Sequence, residues 1–263
     1  LNIVDKPAIQ YIVEEAFASG IEEVLIITNR NKGAIEDHFD HSYELEDKLK
    51  GNESKKKIYE DVLACSNFGN IYFLRQKETK GLGHAVLCAK NFVGNEPFAV
   101  LYGDDVILSE TPCTKQLCDA YEKYGKGVVG VKEVPGMAIT KYCSLKTEPL
   151  EGNCYTCTDM IEKPKPEEIM GNFSILGRVV LPPQIFDILE NTPLGAGNEL
   201  QLTDAMKTLA QTDGVVAVDY EGVRYDMGNK FGILQANIEV GLKHPETREE
   251  LKAYLKKLAA DLD

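Results

Sequence analysis

The 263-residue chain carries 42 acidic against 29 basic side chains, a net charge of −13, and 43% apolar residues. That balance is ordinary for a folded globular protein and excludes a nucleic-acid surface, which needs clustered Lys and Arg. No apolar stretch approaches the ~20 residues of a membrane span, so no membrane partner is expected. Seven cysteines, an odd number without framework spacing, read as the reduced thiols of a cytoplasmic protein.

The opening stretch, Leu1-Asn-Ile-Val-Asp-Lys-Pro7, reads as the end of a unit whose first strand lies upstream. Pro7 then suits a first helical turn, and Ile9, Ile12, Val13, Ala16 and Phe17 repeat at helical spacing up to a Gly20 stop. Glu23–Thr28 is a β-rich run across a tight connection. Residues 31 to 67 are charged and helical, broken at Gly51, and predict two or three surface helices; the basic triplet Lys55-Lys-Lys57 is a solvated face among them.

Ile71–Arg75 is the next strand, Gly81–Lys90 a helix opening on a glycine turn, and Phe98–Tyr102 a buried strand. Alternation of this kind predicts a mainly parallel sheet with helices on both faces. Beyond it, 127–134, 142–146, 155–163, 172–181 and 215–220 are β-rich. Residues 114–124, 184–191 and 202–212 are helical, and the chain ends, from 232 to 263, in two helices split at His244-Pro245. One domain over 1–263 is expected.

The chain is organised around Pro97-Phe-Ala-Val-Leu-Tyr-Gly-Asp-Asp105, a buried strand delivering two carboxylates to its C-terminal edge, where open α/β sheets bind ligands. Four other clusters fall at turns or strand ends. In Gln76-Lys-Glu-Thr-Lys-Gly-Leu-Gly-His84 the glycines let backbone amides approach a ligand, and the Gln76 amide matches the N3–H and flanking carbonyls of a uracil. Because an amide can flip, Gln76 alone discriminates bases poorly, and groups near Gly81 must help. His84 reads as a packing or capping residue.

Glu162-Lys-Pro164 offers an acceptor for sugar hydroxyls and a cation for phosphate, and Pro164 biases Lys163 towards extended backbone. In Gly197-Asn-Glu-Leu-Gln-Leu-Thr-Asp204, Asp204 reads mainly as a helix cap. Tyr225-Asp-Met-Gly-Asn-Lys230 makes a second acid-plus-cation station, and Asp226 with Asp104 gives two carboxylates able to hold Mg²⁺. Cys154-Tyr-Thr-Cys157 lacks a second CxxC or His pair and does not read as a zinc site.

In order along the chain, these motifs resemble the bacterial UTP–glucose-1-phosphate uridylyltransferases of the sugar-nucleotidyltransferase superfamily. The resemblance runs through Gln10-Tyr-Ile-Val-Glu-Glu-Ala16, Gly81-Leu-Gly-His-Ala85, Gly103-Asp-Asp105, Glu162-Lys-Pro164, Glu199-Leu-Gln-Leu-Thr-Asp-Ala205 and Arg224-Tyr-Asp-Met-Gly-Asn-Lys230. It implies a Rossmann-like α/β fold, a mainly parallel mixed sheet flanked by helices, making UDP-glucose and pyrophosphate from UTP and glucose 1-phosphate with Mg²⁺. By motif, Gln76 and Gly81 would read uracil, and Asp104 and Asp226 would hold the metal. Glu162 would bind glucose hydroxyls, Lys163 its phosphate, and Ile175 would lie against the sugar. Gly103, Asp105, Tyr142 and Lys230 would be further substrate neighbours.

The resemblance also implies a glycine-rich loop, with a catalytic Arg and Lys, upstream of Leu1; a protein lacking that segment is expected to be inactive. Cys143 stands where the family usually has a Gly contacting the sugar, so a narrowed hexose pocket or an altered hexose preference is expected. A homodimer or homotetramer is expected on the same grounds. Two other classes fit some of these residues: a UDP-sugar-using glycosyltransferase and a non-catalytic nucleotide-sugar-binding paralogue.

Overall fold

A computed structural model describes residues 1–260. The chain opens on a two-residue pair, β1 (Asn2–Ile3) with β2 (Lys6–Pro7), that runs straight into α1 (Ala8–Ala18). Pro7 is the N-cap rather than a first-turn residue, its φ of −61° suiting helix entry. The predicted stop holds: Ile21 N–H reaches the Ala16 carbonyl at 3.2 Å and Gly20 takes φ +88°, a left-handed helix ending.

β3 (Glu23–Thr28) follows, then the surface helices α2 (Gly33–Phe39), α3 (Tyr43–Leu49) and α4 (Lys56–Ser66), and β4 (Asn70–Arg75) pairs in parallel with β3. Next come α5 (Leu82–Cys88), the short α6 (Lys90–Val93), β5 (Phe98–Leu101), β6 (Asp105–Leu108) and α7 (Cys113–Tyr124). β7 (Gly127–Glu133), β8 (Cys143–Glu151), β9 (Cys154–Glu162) and β10 (Phe173–Leu181) precede α8 (Ile185–Asn191) and α9 (Leu202–Thr212). β11 (Val215–Asp219), β12 (Val223–Asp226), α10 (Lys230–Gly241) and α11 (Arg248–Ala260) complete the described chain, and positions 261–263 of the expected helical end lie outside it.

The chain adopts the expected α/β architecture, a mixed sheet flanked by helices, but antiparallel pairings outnumber parallel ones in it, where a mainly parallel sheet was expected. Its main sheet has the order β5-β10-β7-β11-β9-β8. Parallel pairing occurs between β7 and β11 and between β3 and β4, and the other pairings are antiparallel. Period-two side-chain alternation sorts the sheet into two apolar layers. Val129, Val131, Val215 and Ala217 join α8 and α9 residues such as Phe186, Leu189, Met206 and Leu209 on one face. Val128, Val216 and Val218 join Cys113, Leu117 and Ala120 of α7 on the other. Both faces being covered, β7, β10 and β11 read as continuous apolar runs.

Two strands were less visible in the sequence. β6 begins at Asp105 itself and pairs antiparallel with β12, Asp226 opposite Asp105 and Tyr225 opposite Val106. The second acid of the Gly103-Asp-Asp105 turn is therefore the first residue of a strand. That pairing brings the two acid stations, distant in sequence, side by side.

Candidate active site

Asp104 is exposed at the turn between β5 and β6, and its carbonyl accepts the Met227 N–H at 2.7 Å, tying the turn to the end of β12. Asp226 Oδ1 accepts the N–H of Gly228 at 2.9 Å. A methyl placed on Gly228 would lie 3.0 Å from Asp226 Oδ1 and 3.3 Å from Asp104 Oδ2. Both carboxylates therefore face one point, with a glycine leaving that point open.

Asp105 faces the other way. It is 4% exposed, and both Nε and Nη2 of Arg224 lie 2.5 Å from its Oδ1. Burial pushes its carboxyl up, and the Arg224 guanidinium opposes that shift. Arg224 also sits 3.6 Å from Asp226 Oδ2, while its guanidinium lies 5.5 Å from the centre of the Tyr142 ring, whose hydroxyl donates to the same Oδ2 at 3.4 Å. One guanidinium thus braces Asp226 from behind.

A second guanidinium holds the floor. Arg178 of β10 is 1% exposed and meets buried Glu15 of α1 in a fork, Nε to Oε1 at 3.0 Å and Nη2 to Oε2 at 2.7 Å. Its remaining donors reach the carbonyls of Gly177 at 2.8 Å and Asp105 at 3.0 Å. Glu15 Oε1 also accepts from the backbone and hydroxyl of Thr114 at the start of α7. At Gly177, φ is +88° and an added methyl would lie 2.7 Å from Asp105 Cβ, so β10 approaches β6 through a glycine. The β10 register shifts against β7 over this stretch, between Ile175 and Val179.

The Gln76 loop forms a separate wall. The Gln76 Nε2 amine donates to the Gly81 carbonyl at 3.3 Å and lies 2.8 Å from His84 Nδ1. The loop is zipped to the segment before α9: Leu200 N–H to Lys80 carbonyl at 2.8 Å and Gly83 N–H to Leu200 carbonyl at 2.9 Å. In α9 the Thr203 hydroxyl donates to Glu162 Oε2 at 2.9 Å. Glu162 ends β9 opposite Cys143 of β8, and Lys163 N–H donates to the Tyr142 carbonyl at 2.7 Å. Hydrogen bonds, bridged by short stretches of chain, therefore link Gln76 and Gly81 through Leu200 and Thr203 to Glu162, and on through Lys163 and Tyr142 to Asp226 and Asp104.

The chain matches the model of the nucleotidyl transferase family over residues 1–241. The chain belongs to that family. A curated UTP–glucose-1-phosphate uridylyltransferase of Bacillus subtilis, YngB, is 50% identical over 255 residues, 97% of this chain and 86% of that protein. One from Staphylococcus epidermidis is also 50% identical, over 98% of this chain and 89% of that protein. Among solved structures, a UDP-glucose pyrophosphorylase complexed with UDP-glucose superposes with a TM-score of 0.85 at 39% identity, covering 93% of this chain and 90% of that one. A UTP-bound enzyme of that kind from Acinetobacter baumannii gives 0.85 at 34% identity, covering 98% and 90%.

Within this nucleotidyltransferase, most residues singled out from sequence lie along the connected run. Lys230, exposed, opens α10, whose Asn229 cap accepts the Gly232 N–H at 2.7 Å. Gly103 is exposed beside Asp104. Ile175 is buried on β10, its N–H directed at Cys143 Sγ at 3.2 Å. Cys143 is itself 3% exposed, its thiol packed at Ser174 Oγ and pushed up to about 11 by burial.

Three expectations need correction. Lys163 is not extended: its φ is +47°, because its N–H is fixed by Tyr142 where the β8–β9 ladder ends, and that constraint overrides the bias from Pro164. Asp204 does not cap α9, whose N-cap is Gln201; it lies inside the first turn against Gly195, and burial raises its carboxyl. His84 does not cap α5; of the packing or capping role expected for it, the structure shows the ring against the Gln76 amide and Cys88.

Sequence reasoning overlooked Glu15, Arg178 and the bracing role of Arg224. A signal existed for Arg178, since a lone cation inside the apolar run 175–181 of a doubly covered strand demands a buried partner.

Proposed function

We propose that this nucleotidyltransferase transfers a uridylyl group from UTP to glucose 1-phosphate, giving UDP-glucose and pyrophosphate, with Mg²⁺ held by Asp104 and Asp226. The observation that carries it is the convergence of those two carboxylates beside Gly228, at one end of a contact run reaching Gln76 at the other. Two carboxylates suit Mg²⁺, which takes one or two protein acids and completes its shell with water and substrate phosphates. Among the described residues no group of three or more His, Cys, Asp or Glu could hold a metal ion. The cation, when bound, would neutralise charge on the transferring phosphate and orient it.

The sugar-side and base-side tasks fall to residues of this chain. The reaction displaces pyrophosphate from the α-phosphorus by a phosphate oxygen that is already anionic, so positioning and charge are needed and a general base is not. Glu162 gives one oxygen to Thr203, leaving the other to accept a glucose hydroxyl. Exposed Lys163, turned by its left-handed backbone, supplies a cation for the sugar phosphate, and Lys230 lies near the acids at the mouth of α10. Tyr142 and Arg224 hold Asp226; Asp105 acts through Arg224 rather than on substrate. Gln76 and Gly81 meet the uracil, Gly103 leaves room beside Asp104, and buried Cys143 and Ile175 shape the sugar side from behind.

Pyrophosphate release by the full-length protein, with UTP and glucose 1-phosphate against other nucleotide and sugar-phosphate pairs, tests the reading; a better rate with a pair lacking uracil would overturn it. The self-association expected from the family is proposed to use apolar side chains exposed on α10 and α11, Phe231, Leu234, Tyr254 and Leu258. A monomer by sedimentation would dismiss that surface. No described helix is long and apolar enough to cross a membrane, in keeping with a proposed cytoplasmic site of action.

A further inference from the structure

We propose that His84 is a positioning residue that sets base specificity by locking the orientation of the Gln76 amide, so that only its carbonyl oxygen is presented to the nucleobase. The inference rests on the reading above in which Gln76 meets uracil.

The lock follows from donor and acceptor arithmetic. A backbone carbonyl can only accept, so the Gln76 atom 3.3 Å from the Gly81 carbonyl has to be the amine, Nε2. That amine also lies 2.8 Å from His84 Nδ1, which must then be the acceptor. His84 is thereby held as the tautomer with its proton on Nε2.

Both Gln76 amine protons are consumed inside the protein. Its Oε1 has no hydrogen-bond partner among the described residues, and no buried polar side-chain atom is left unpaired, so Oε1 is open to solvent. The loop thus offers a base one acceptor and no amine.

An acceptor at that place selects one edge. Uracil carries N3–H there and donates to it, whereas the N3 of cytosine is itself an acceptor and is repelled. Gly81 alone is a weaker restraint, since its hydrogen bond is the longer of the two. Removing His84 frees the amide to present its amine to a cytosine N3. The flip that makes a lone glutamine a poor discriminator is thus suppressed by a residue that need not touch the nucleotide.

The test measures kcat/KM for UTP, dTTP and CTP in the full-length protein and in His84→Leu, His84→Asn and Gln76→Ala. Losing one hydrogen bond of ordinary strength should lower the UTP-to-CTP ratio of His84→Leu about tenfold. The UTP-to-dTTP ratio should stay unchanged, because thymine shares the N3–H edge. Asn, whose Oδ1 can replace Nδ1 as acceptor, should restore the UTP-to-CTP ratio.

An unchanged UTP-to-CTP ratio in His84→Leu, where Gln76→Ala shifts it, would overturn the lock while leaving the uracil reading intact; no shift in Gln76→Ala would overturn both. Equal movement of both ratios would mean a collapsed loop and no lock. Independently of turnover, the ¹⁵N shifts of labelled histidine should show a bare Nδ1 on His84, and a protonated Nδ1 would refute the proposal.

Discussion

Oδ2 of Asp104 and Oδ1 of Asp226 lie 3.3 Å and 3.0 Å from the place a methyl on Gly228 would occupy. No backbone atom crowds that position, so a side chain there would press on the acids and not on the turn. Gly228→Ala should therefore fold normally yet lower kcat, because each carboxylate has to give way by a few tenths of an ångström from its place at the shared point. Thermal melts beside pyrophosphate release check this. Full turnover in the variant would show that the two carboxylates do not share a ligand.

Removal of divalent cations should stop the reaction. Turnover in excess chelator should vanish and return on adding Mg²⁺, while Asp104→Asn should stay inactive with a melting temperature near that of the parent. Activity that survives chelation would dismiss the metal from the mechanism.

The Glu15–Arg178 fork should dominate stability around the site. Arg178→Met leaves a buried carboxylate with only Thr114 as donor, a change that typically costs about 3–5 kcal/mol. Urea melts should show that loss, and Glu15→Gln added to Arg178→Met should recover part of it. Losses that simply add would mean the two side chains are not coupled.

Lys163 should separate stability from activity. A non-glycine residue at φ +47° carries a backbone penalty of roughly 1 kcal/mol, which glycine escapes and alanine does not. Lys163→Gly should therefore be more stable than Lys163→Ala, while both raise KM for glucose 1-phosphate through loss of the cation. Equal stability of the two variants would locate no strain at this turn.

The Cys143 thiol should be unreactive at pH 8 and ionise only in alkali. Its thiol is 3% exposed and pushed up to about 11 from an ordinary value of 9.0, chiefly by burial. A folded-state pKa raised above the unfolded one gives stability that is complete below pH 9 and is lost as pH rises through about 11. Mass mapping after brief alkylation at pH 8 should find Cys143 unmodified in folded protein. The stability difference between the parent and Cys143→Ser should shrink from pH 8 to pH 11; a constant difference would assign the alkaline loss to other groups.

Much of this architecture was legible because its signals are local. The 3.6-residue repeat of Ile12, Val13 and Ala16 and the apolar runs of β7, β10 and β11 state their own geometry. The acids at 104 and 226 were visible as strand-end carboxylates, but what joins them was not. Pairing of β6 with β12 is long-range, and β6 is only four residues long with an acid at its head. The buried pair of Asp105 with Arg224 was hidden for the same reason: nothing nearby in sequence announces that partner. The Lys163 backbone was misjudged where a tertiary hydrogen bond outweighs a dipeptide preference.

The segment from Glu199 to Thr203 fastens the Gln76 loop through backbone bonds at Lys80 and Gly83, and fastens Glu162 through a hydroxyl. The proposed base-reading and hexose-reading ends are thus mortised into one short beam, and a redesign of sugar preference that shifts α9 would shift nucleotide choice with it. Breeding this scaffold towards new sugar nucleotides therefore means altering both ends together, or leaving residues 199–203 alone.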